Sequence, residues 1–331
     1  MLHAKSQRLC RDPQRVRTVI ERSLGSSVAS PILTSRSDLL ALARHEGTEV
    51  PATMALTAPK DLDLWANRHG FPAFVKVDGT TGGVGVTAVG NLDQAQRALQ
   101  TTVDAAKVSR DLVRFLRGRD RFSFWDHVHG PERKVSIQAA IKGTPANILV
   151  SCDRGEITGA ICVEARATHG ERGPATIVAV VRNPEMLHAA TRITGRLGLS
   201  GFVGFDFMIE QASGRSFLIE MNPRATPIGH LALGEGRDLV SAFSRHVLGL
   251  TTANRVPIPA CERIALFPTA WHTDPAGLWR HEAYHDVPWE EPVLMQNVVA
   301  SIPFGAGLNG LASVAFAPMP AALARAHADL S

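Results

Sequence analysis

The stretch that decides the fold is residues 201–230, GFVGFDFMIEQASGRSFLIEMNPRATPIGH. Residues 202–209 are β-branched and aromatic, and residues 216–220 are again rich in strand-forming side chains. Between them, Ser213 and Gly214 are typical of a turn. The stretch therefore predicts a β-hairpin.

Polar side chains on this hairpin are expected to share one face. Glu220 and Asn222 are two residues apart, so they point the same way, and Arg224 follows if the chain stays extended. Asp206 on the partner strand brings a second carboxylate to that face. Carboxylate and amide oxygens are ligands that Mg²⁺ takes, usually together with substrate phosphates, and an arginine beside them completes a phosphate clamp.

A simpler interpretation stays open, in which Asp206 and Glu220 lie on a solvated strand face and Arg224 neutralises them. The sequence FLI before Glu220 and Met221 after it predicts buried surroundings. Acidic side chains are rarely buried unless they are paired or bound to a metal, which favours the metal site.

The hairpin resembles the metal-binding core of the ATP-grasp superfamily, whose pattern is an acid on one strand and Glu-x-Asn-x-Arg on the next. The matching residues here are Asp206, Glu220, Asn222 and Arg224. The wording IEMNPR with a following Gly-His is similar to the branch that contains biotin carboxylase and carbamoyl-phosphate synthetase. Together with the motifs upstream, the resemblance spans roughly residues 35 to 250.

A glycine-rich turn upstream is the second motif. Residues 71–77 predict a strand that carries Lys76, and the sequence DGTTGGVG leads from it into another strand. Glycines let backbone amides approach phosphate oxygens closely, and lysine supplies charge, although many such hairpins are plain turns. It is neither a P-loop nor a dinucleotide fingerprint. By resemblance it is the mobile ATP-grasp lid loop, in which Lys76, Gly82, Gly83 and Gly85 orient the triphosphate.

Residues 134–143, KVSIQAAIKG, predict a strand that ends in a turn. By resemblance this segment is the hinge that meets the adenine, with backbone groups around Ala140 and Ile141 reading its edge. Gln138 stands where many relatives place glutamate. Arg36 falls where many relatives have a second lysine that contacts ATP.

The composition excludes several classes of protein. At 331 residues the chain can bury a full core, and it has neither a bilayer-spanning apolar run nor the apolar core of a signal peptide, so we expect a cytoplasmic protein without membrane contact. Its four cysteines form no CxxC pair, which disfavours a disulfide framework and structural zinc. The net charge of +4 comes mainly from arginines spread along the chain. Residues 114–125, RFLRGRDRFSFW, are basic and aromatic, as in nucleic-acid-binding or acidic-substrate-binding segments, but an amphipathic lid insertion with a solvated arginine face is favoured there.

Three further segments carry expectations. Residues 12–24 predict a helix with an apolar face. The resemblance implies that the domain covering this face in relatives is largely missing, so we expect a homodimer or a tendency to aggregate. Ser37 or Asp38 is expected to cap a helix over residues 39–45. Near the end of the chain, His281 to His285 read HEAYH, a formal match to the zinc-protease motif HExxH. Because DVP follows directly and would cut the helix, coincidence is favoured there.

The predicted architecture is α+β, with ATP held between two α+β subdomains and the domain that precedes them in relatives largely missing. The predicted domains are a remnant (1–36), a lid (37–141), a base with the metal site (142–250) and a C-terminal appendage (251–331). The resemblance implies an ATP- and Mg²⁺-dependent ligase, with Mn²⁺ as the alternative metal, that joins a small-molecule carboxylate to an amine through an acyl phosphate. It implies that Lys76 and Arg224 serve catalysis. The rival hypothesis is an ATP-binding sensor or partner subunit without turnover.

Overall fold

The structure, a computed structural model, describes residues 32–33, 35–78, 85–105, 134–170, 173–249, 263–274, 277, 279–288 and 291. These residues form two sheets, one of four strands and one of seven, with helices packed on them. Across the described part of the chain, no helix is both long and apolar enough to traverse a membrane.

The smaller sheet has the strand order β1-β4-β2-β3, and all of its neighbouring strands are antiparallel. Two helices cover one of its faces, where the buried Leu62 and Trp65 pack against Val75 and Ile137. The elements of this part are α1 (Arg36–His45), β1 (Thr53–Leu56), α2 (Lys60–Arg68), β2 (Ala73–Val77), β3 (Val86–Val89), α3 (Leu92–Ala105) and β4 (Val135–Ala139).

The larger sheet has the order β11-β10-β7-β6-β5-β8-β9, and it is antiparallel except for the pair β10 and β11. Its elements are β5 (Gly143–Asp153), β6 (Glu156–Thr168), β7 (Ala175–Val180), α4 (Pro184–Leu197), β8 (Gly201–Glu210), β9 (Ser216–Asn222), α5 (Leu239–Leu248), β10 (Ile264–Leu266), α6 (Thr269–Thr273), α7 (Trp279–Glu282) and β11 (Tyr284–Asp286).

Alternation along the strands divides the larger sheet into two apolar faces. Ile148 and Val150 of β5 point into a core that α1 and α4 complete, whereas Leu149 between them belongs to a second core on the opposite face. The loop after β9 and helix α5 cover part of that second face. His230 of this loop lies with Nε2 2.5 Å from Asp286 Oδ1, which ties the loop to β11 at the far edge of the sheet.

Helix ends follow from capping side chains. Asn183 caps α4, where its side chain accepts from the Met186 amide, and Gly198 ends the helix in the left-handed conformation (φ 59°). At α1 the predicted cap was wrong: Ser35, rather than Ser37 or Asp38, accepts from the Asp38 amide. The helix therefore begins at Arg36, one turn earlier than the sequence suggested.

The bounds of the predicted domains stay predictions. Two packing features relate to these boundaries, but neither marks the residue at which a domain begins or ends. Leu39 and Leu40 of α1, which the sequence assigned to the lid, pack in the core of the larger sheet. In the C-terminal appendage, β10 and β11 extend that same sheet. The predicted helix over residues 12–24 lies outside the described residues, so the homodimer that it favoured also stays a prediction.

Candidate functional site

A pair of opposed carboxylates forms the floor of the candidate site. Asp206 of β8 lies directly opposite Glu220 of β9 in the antiparallel register, and Asn222 lies opposite Gly204. A β-bulge interrupts the pairing just beyond Asp206 and adds Ile219 as an extra residue on β9. These polar side chains are only partly buried.

The bulge explains how β9 serves both a core and a polar site. Leu218 and Met221 are three residues apart, yet both pack in the same core. Strict alternation would have put Leu218 on the face of Glu220, so the extra residue at the bulge shifts the phase of the strand. Glu220 and Asn222 consequently share the polar face, as the sequence predicts.

Asp206 receives one side-chain amide on each carboxylate oxygen. Asn147 Nδ2 donates to Oδ1 at 2.6 Å, and Asn222 Nδ2 donates to Oδ2 at 2.8 Å. Burial raises the pKa of Asp206 and the charge of Glu220 adds to that rise, whereas the two amide hydrogen bonds oppose it. Each carboxylate oxygen has two lone pairs, so each can still face a cation after accepting an amide.

Arg224 lies at the exposed end of this polar row. Its Nη2 donates to Asn222 Oδ1 at 3.4 Å, and its Nη1 donates to the Ala225 carbonyl at 3.1 Å. The guanidinium is therefore held beside the predicted metal-ligating residues, where an incoming anionic group can reach it.

The smaller sheet contributes a buried lysine. Lys76 of β2 donates from Nζ to Gln138 Oε1 at 2.5 Å, and Gln138 Nε2 donates in turn to Thr53 Oγ1 at 3.2 Å. Burial, reinforced by the positive charge of Arg36, lowers the pKa of Lys76 from 10.5 to about 8. The negative charges of Glu220 and Asp206 on the larger sheet offset part of that fall in pKa.

Arg36 joins the two sheets. Its side chain is 5% exposed, and its guanidinium forms ion pairs with Asp78 (Nη1 to Oδ1, 3.3 Å) and with Glu220 (Nη2 to Oε2, 3.1 Å). The Arg36 amide also donates to Asp78 Oδ2 at 3.1 Å. Burial raises the pKa of Asp78 above its ordinary value, and the charge of Arg36 offsets only part of that rise. Within the described part of the chain, Arg36 Nε finds no hydrogen-bond acceptor.

The structure describes only some of the remaining residues that are predicted to bind the nucleotide. Gly82 and Gly83 lie outside the described residues. Gly85 has a φ of 77°, and its carbonyl accepts from the Val77 amide at 3.0 Å, which closes the hairpin of β2 and β3. At the predicted hinge, the Ala140 amide donates to the Pro72 carbonyl at 3.1 Å, so that amide is already used within the protein. Ile141 follows Ala140 between β4 and β5.

Two residues of the site were missed from the sequence. In the sequence Asp78 is only the first residue of the glycine-rich turn, and its partner Arg36 lies 42 positions away. Asn147 belongs to no motif, and it contacts Asp206 across 59 positions because β5 pairs with β8. A lone acid after a strand that carries a lysine was the one available signal for Asp78.

The donor set fits a hard divalent cation. Asp206, Glu220 and Asn222 offer carboxylate and amide oxygens on one face, which are the ligands that magnesium and manganese take. Three acids (Asp78, Asp206, Glu220) stand near three bases (Arg36, Lys76, Arg224), so the site is close to electroneutral without added ions. A nucleotide would add negative charge that divalent cations offset.

The HEAYH sequence does not form the helical arrangement of a zinc protease. His281 lies in the short helix α7, which ends at Glu282, whereas His285 lies on strand β11. The two histidines therefore do not share one helical face. His285 instead packs against Trp271 and Trp279, with ring centroids 5.2 and 5.4 Å apart.

Solved structures with the same fold include three enzymes, two of which are in complex with ADP. One is the biotin carboxylase domain dimer of the 2-oxoglutarate carboxylase from Hydrogenobacter thermophilus, in complex with MgADP, ADP and bicarbonate (TM-score 0.53, 13% identity, 74% of this chain and 52% of that chain). A second is N5-carboxyaminoimidazole synthetase from Staphylococcus aureus in complex with ADP (TM-score 0.51, 15% identity, 73% of this chain and 59% of that chain). A third is the L-amino acid ligase from Bacillus licheniformis (TM-score 0.50, 13% identity, 73% of this chain and 57% of that chain).

The fold is that of the ATP-grasp superfamily, as the sequence predicted. Within it, the chain belongs to the family of the carbamoyl-phosphate synthase L chain, ATP binding domain, whose model matches residues 40–242. A comparison with curated protein sequences finds no match. The chain spans between about half and three fifths of the length of these three solved structures.

Proposed function

We propose that this chain is an ATP- and magnesium-dependent ligase that joins a small-molecule carboxylate to an amine, or to a similar nucleophile, through an acyl phosphate. The observation that carries the proposal is the opposition of Asp206 and Glu220 across β8 and β9, with Asn222 beside them. Membership of an ATP-binding family supports the nucleotide, and the ligase fold supports the type of reaction.

In the proposed site, Asp206, Glu220 and Asn222 hold the magnesium ions, or manganese in their place. When bound, these ions neutralise charge on the phosphates of ATP and hold them in line for transfer. Asp206 is already oriented for this role by its two amide donors. Glu220 must exchange its ion pair with Arg36 for the metal.

The nucleotide would lie between the two sheets. Lys76, which is buried and hydrogen-bonded to Gln138, would supply positive charge to the phosphates, and the glycines of the following turn (Gly82, Gly83, Gly85) would supply backbone amides to them. At the adenine, the Ala140 carbonyl and the Ile141 backbone provide the contacts, because the Ala140 amide is bonded to Pro72. Arg36, whose guanidinium pairs with Glu220, would supply a further positive charge to the phosphates.

The proposed reaction proceeds in two displacements. A carboxylate oxygen of the substrate attacks the γ-phosphorus of ATP, and ADP leaves with the electrons of the broken P–O bond. The amine then attacks the carbonyl carbon of the acyl phosphate, inorganic phosphate leaves, and the amine loses a proton. Arg224 stabilises the negative charge on the transferring group, so positioning and electrostatics carry the phosphoryl step.

A screen of carboxylate and amine pairs for ADP release tests this proposal. We expect one class of pair to stimulate ADP formation at least about tenfold over ATP alone, with an equivalent amount of phosphate released, and we expect EDTA to abolish it. Binding of ATP without ADP release from any pair would contradict the ligase.

The Arg36–Glu220 ion pair favours a second candidate function. Because a guanidinium 3.1 Å from Glu220 competes with a metal for that carboxylate, the chain could bind ATP without turning it over, as a sensor or a partner subunit. This candidate would be supported over the ligase if ATP bound tightly with an affinity that magnesium did not change, and if no pair of carboxylate and amine caused ADP release.

A further inference from the structure

Asn147 stands between the metal-ligating strands and the loop that follows them. It lies on β5 directly opposite Asp206 of β8, so Asn147, Asp206 and Glu220 form a row across three neighbouring strands. Its side chain is partly buried. No motif in the sequence singles it out.

The hydrogen bonds of Asn147 fix the orientation of its amide. Nδ2 donates both to Asp206 Oδ1 at 2.6 Å and to the Phe205 carbonyl at 3.2 Å, and neither acceptor can donate in return. The amide oxygen therefore points the other way, where it accepts from Thr226 Oγ1 at 3.2 Å. Rotation of the amide by 180° would bring oxygen against oxygen at both acceptors.

Thr226 is itself held in place by a close approach to β8. A Cβ on Gly204 would lie 2.3 Å from Thr226 Cγ2, so the strand accepts this threonine only because residue 204 is glycine. Thr226 follows Arg224 by two residues in the loop after β9. The loop thus anchors Asn147, and Asn147 anchors Asp206.

We propose that Asn147 is a positioning residue for the metal site: it orients the Asp206 carboxylate and is itself oriented by Thr226. The inference rests on the proposed function, in which Asp206 is a metal ligand. Asn147 holds Oδ1 of Asp206 and Asn222 holds Oδ2, so the carboxylate cannot rotate freely. Its remaining lone pairs are therefore already oriented toward the cation before the cation binds. Outer hydrogen-bond partners of this kind typically change metal affinity by about 10- to 100-fold.

The test measures Mn²⁺ binding by the spectroscopic signal of the free ion, at saturating ADP, on the full chain. We expect Asn147→Leu to weaken Mn²⁺ affinity by about 10- to 100-fold, while ADP affinity measured calorimetrically in EDTA stays within about twofold of wild type. Asn67→Leu, the same change on the exposed side of α2, is the matched control and should alter neither value.

A second pair of variants guards against a folding defect. Thr226→Val keeps the shape of the side chain but removes the hydroxyl, so it should weaken Mn²⁺ binding in the same direction as Asn147→Leu. Thr226→Ser keeps the hydroxyl and should retain most of the wild-type affinity. This ordering is not expected if Thr226 only packs against Gly204.

Each other outcome has a distinct meaning. Mn²⁺ affinity within about twofold of wild type in both Asn147→Leu and Thr226→Val would overturn the positioning role. An equal loss of ADP affinity in EDTA would overturn it too, since Asn147 would then act on the nucleotide rather than on the metal. Absence of Mn²⁺ binding by the wild-type protein with ADP would instead contradict the proposed function itself.

Discussion

The guanidinium of Arg36 lies 3.1 Å from Glu220 Oε2, so a buried cation at the start of helix α1 holds one of the two carboxylates predicted to bind metal. The same guanidinium holds Asp78 at the end of β2. Arg36 therefore links the smaller sheet to the site on the larger one. If a phosphate group attracted Arg36, Glu220 would be released for a metal, so we expect nucleotide and metal binding to favour each other.

The substitution Glu220→Gln distinguishes between two interpretations of Asp206 and Glu220: ligands of a metal, or a pair of acids on a solvated strand face. The substitution removes a negative charge at nearly constant volume, so we expect ADP formation to be lost while ATP binding only weakens and becomes insensitive to magnesium. Calorimetric titration of ATP with and without magnesium measures this. Glu156→Gln, at an exposed position of β6, is the control and should change stability by less than about 0.5 kcal/mol. A magnesium effect that survives in Glu220→Gln would remove Glu220 from the metal site.

Arg36→Met should destabilise the fold strongly. It leaves the buried Asp78 carboxylate without its cation, and breaking a buried pair on one side typically costs about 3–5 kcal/mol. The double variant Arg36→Met/Asp78→Asn removes both charges, so we expect it to be more stable than Arg36→Met alone. Urea unfolding of the three proteins at pH 7 provides the comparison. Equal stability of the single and double variants would show that Asp78 does not depend on Arg36.

Lys76→Met should change how stability depends on pH. The pKa of Lys76 is about 8 in the folded protein and 10.5 as its ordinary value, so between these pH values the folded state has lost a proton that the unfolded state still holds. Wild-type stability therefore rises with pH across this window, by up to about 3 kcal/mol, and Lys76→Met lacks this rise. Below pH 8 the wild-type protein bears the full cost of the buried charge.

Urea unfolding at intervals from pH 7 to pH 10.5 measures the difference between wild type and Lys76→Met. Lys60→Met, at an exposed position of α2, controls for the loss of a lysine. If the free energy of unfolding changed with pH in the same way in wild type and in Lys76→Met, burial would not lower the pKa of Lys76.

The HEAYH segment should hold no zinc. His281 and His285 lie on a helix and a strand, so they cannot offer the two adjacent ligands that a zinc protease places on one helical face. We expect protein purified without added metal to contain less than about 0.1 zinc per chain by elemental analysis, and His281→Ala to leave that value unchanged. About one zinc per chain, lost in His281→Ala, would refute the interpretation of the motif as a coincidence.

The sequence by itself determined the local geometry of the site. The alternation in residues 201–222 predicts the hairpin and a shared face for Asp206, Glu220 and Asn222, and the structure has both. These features depend on side-chain periodicity and on contacts a few residues apart, which a single sequence records directly.

Only the tertiary structure decided which distant residues complete the site. The order of strands brings Asn147 to Asp206, the packing of α1 brings Arg36 to Asp78 and Glu220, and the bulge at Ile219 sets the phase of β9. None of these follows from local preference, because each depends on how separate elements bury their apolar faces against one another. The sequence names the groups that carry charge, whereas the packing determines which of them lie within hydrogen-bonding distance.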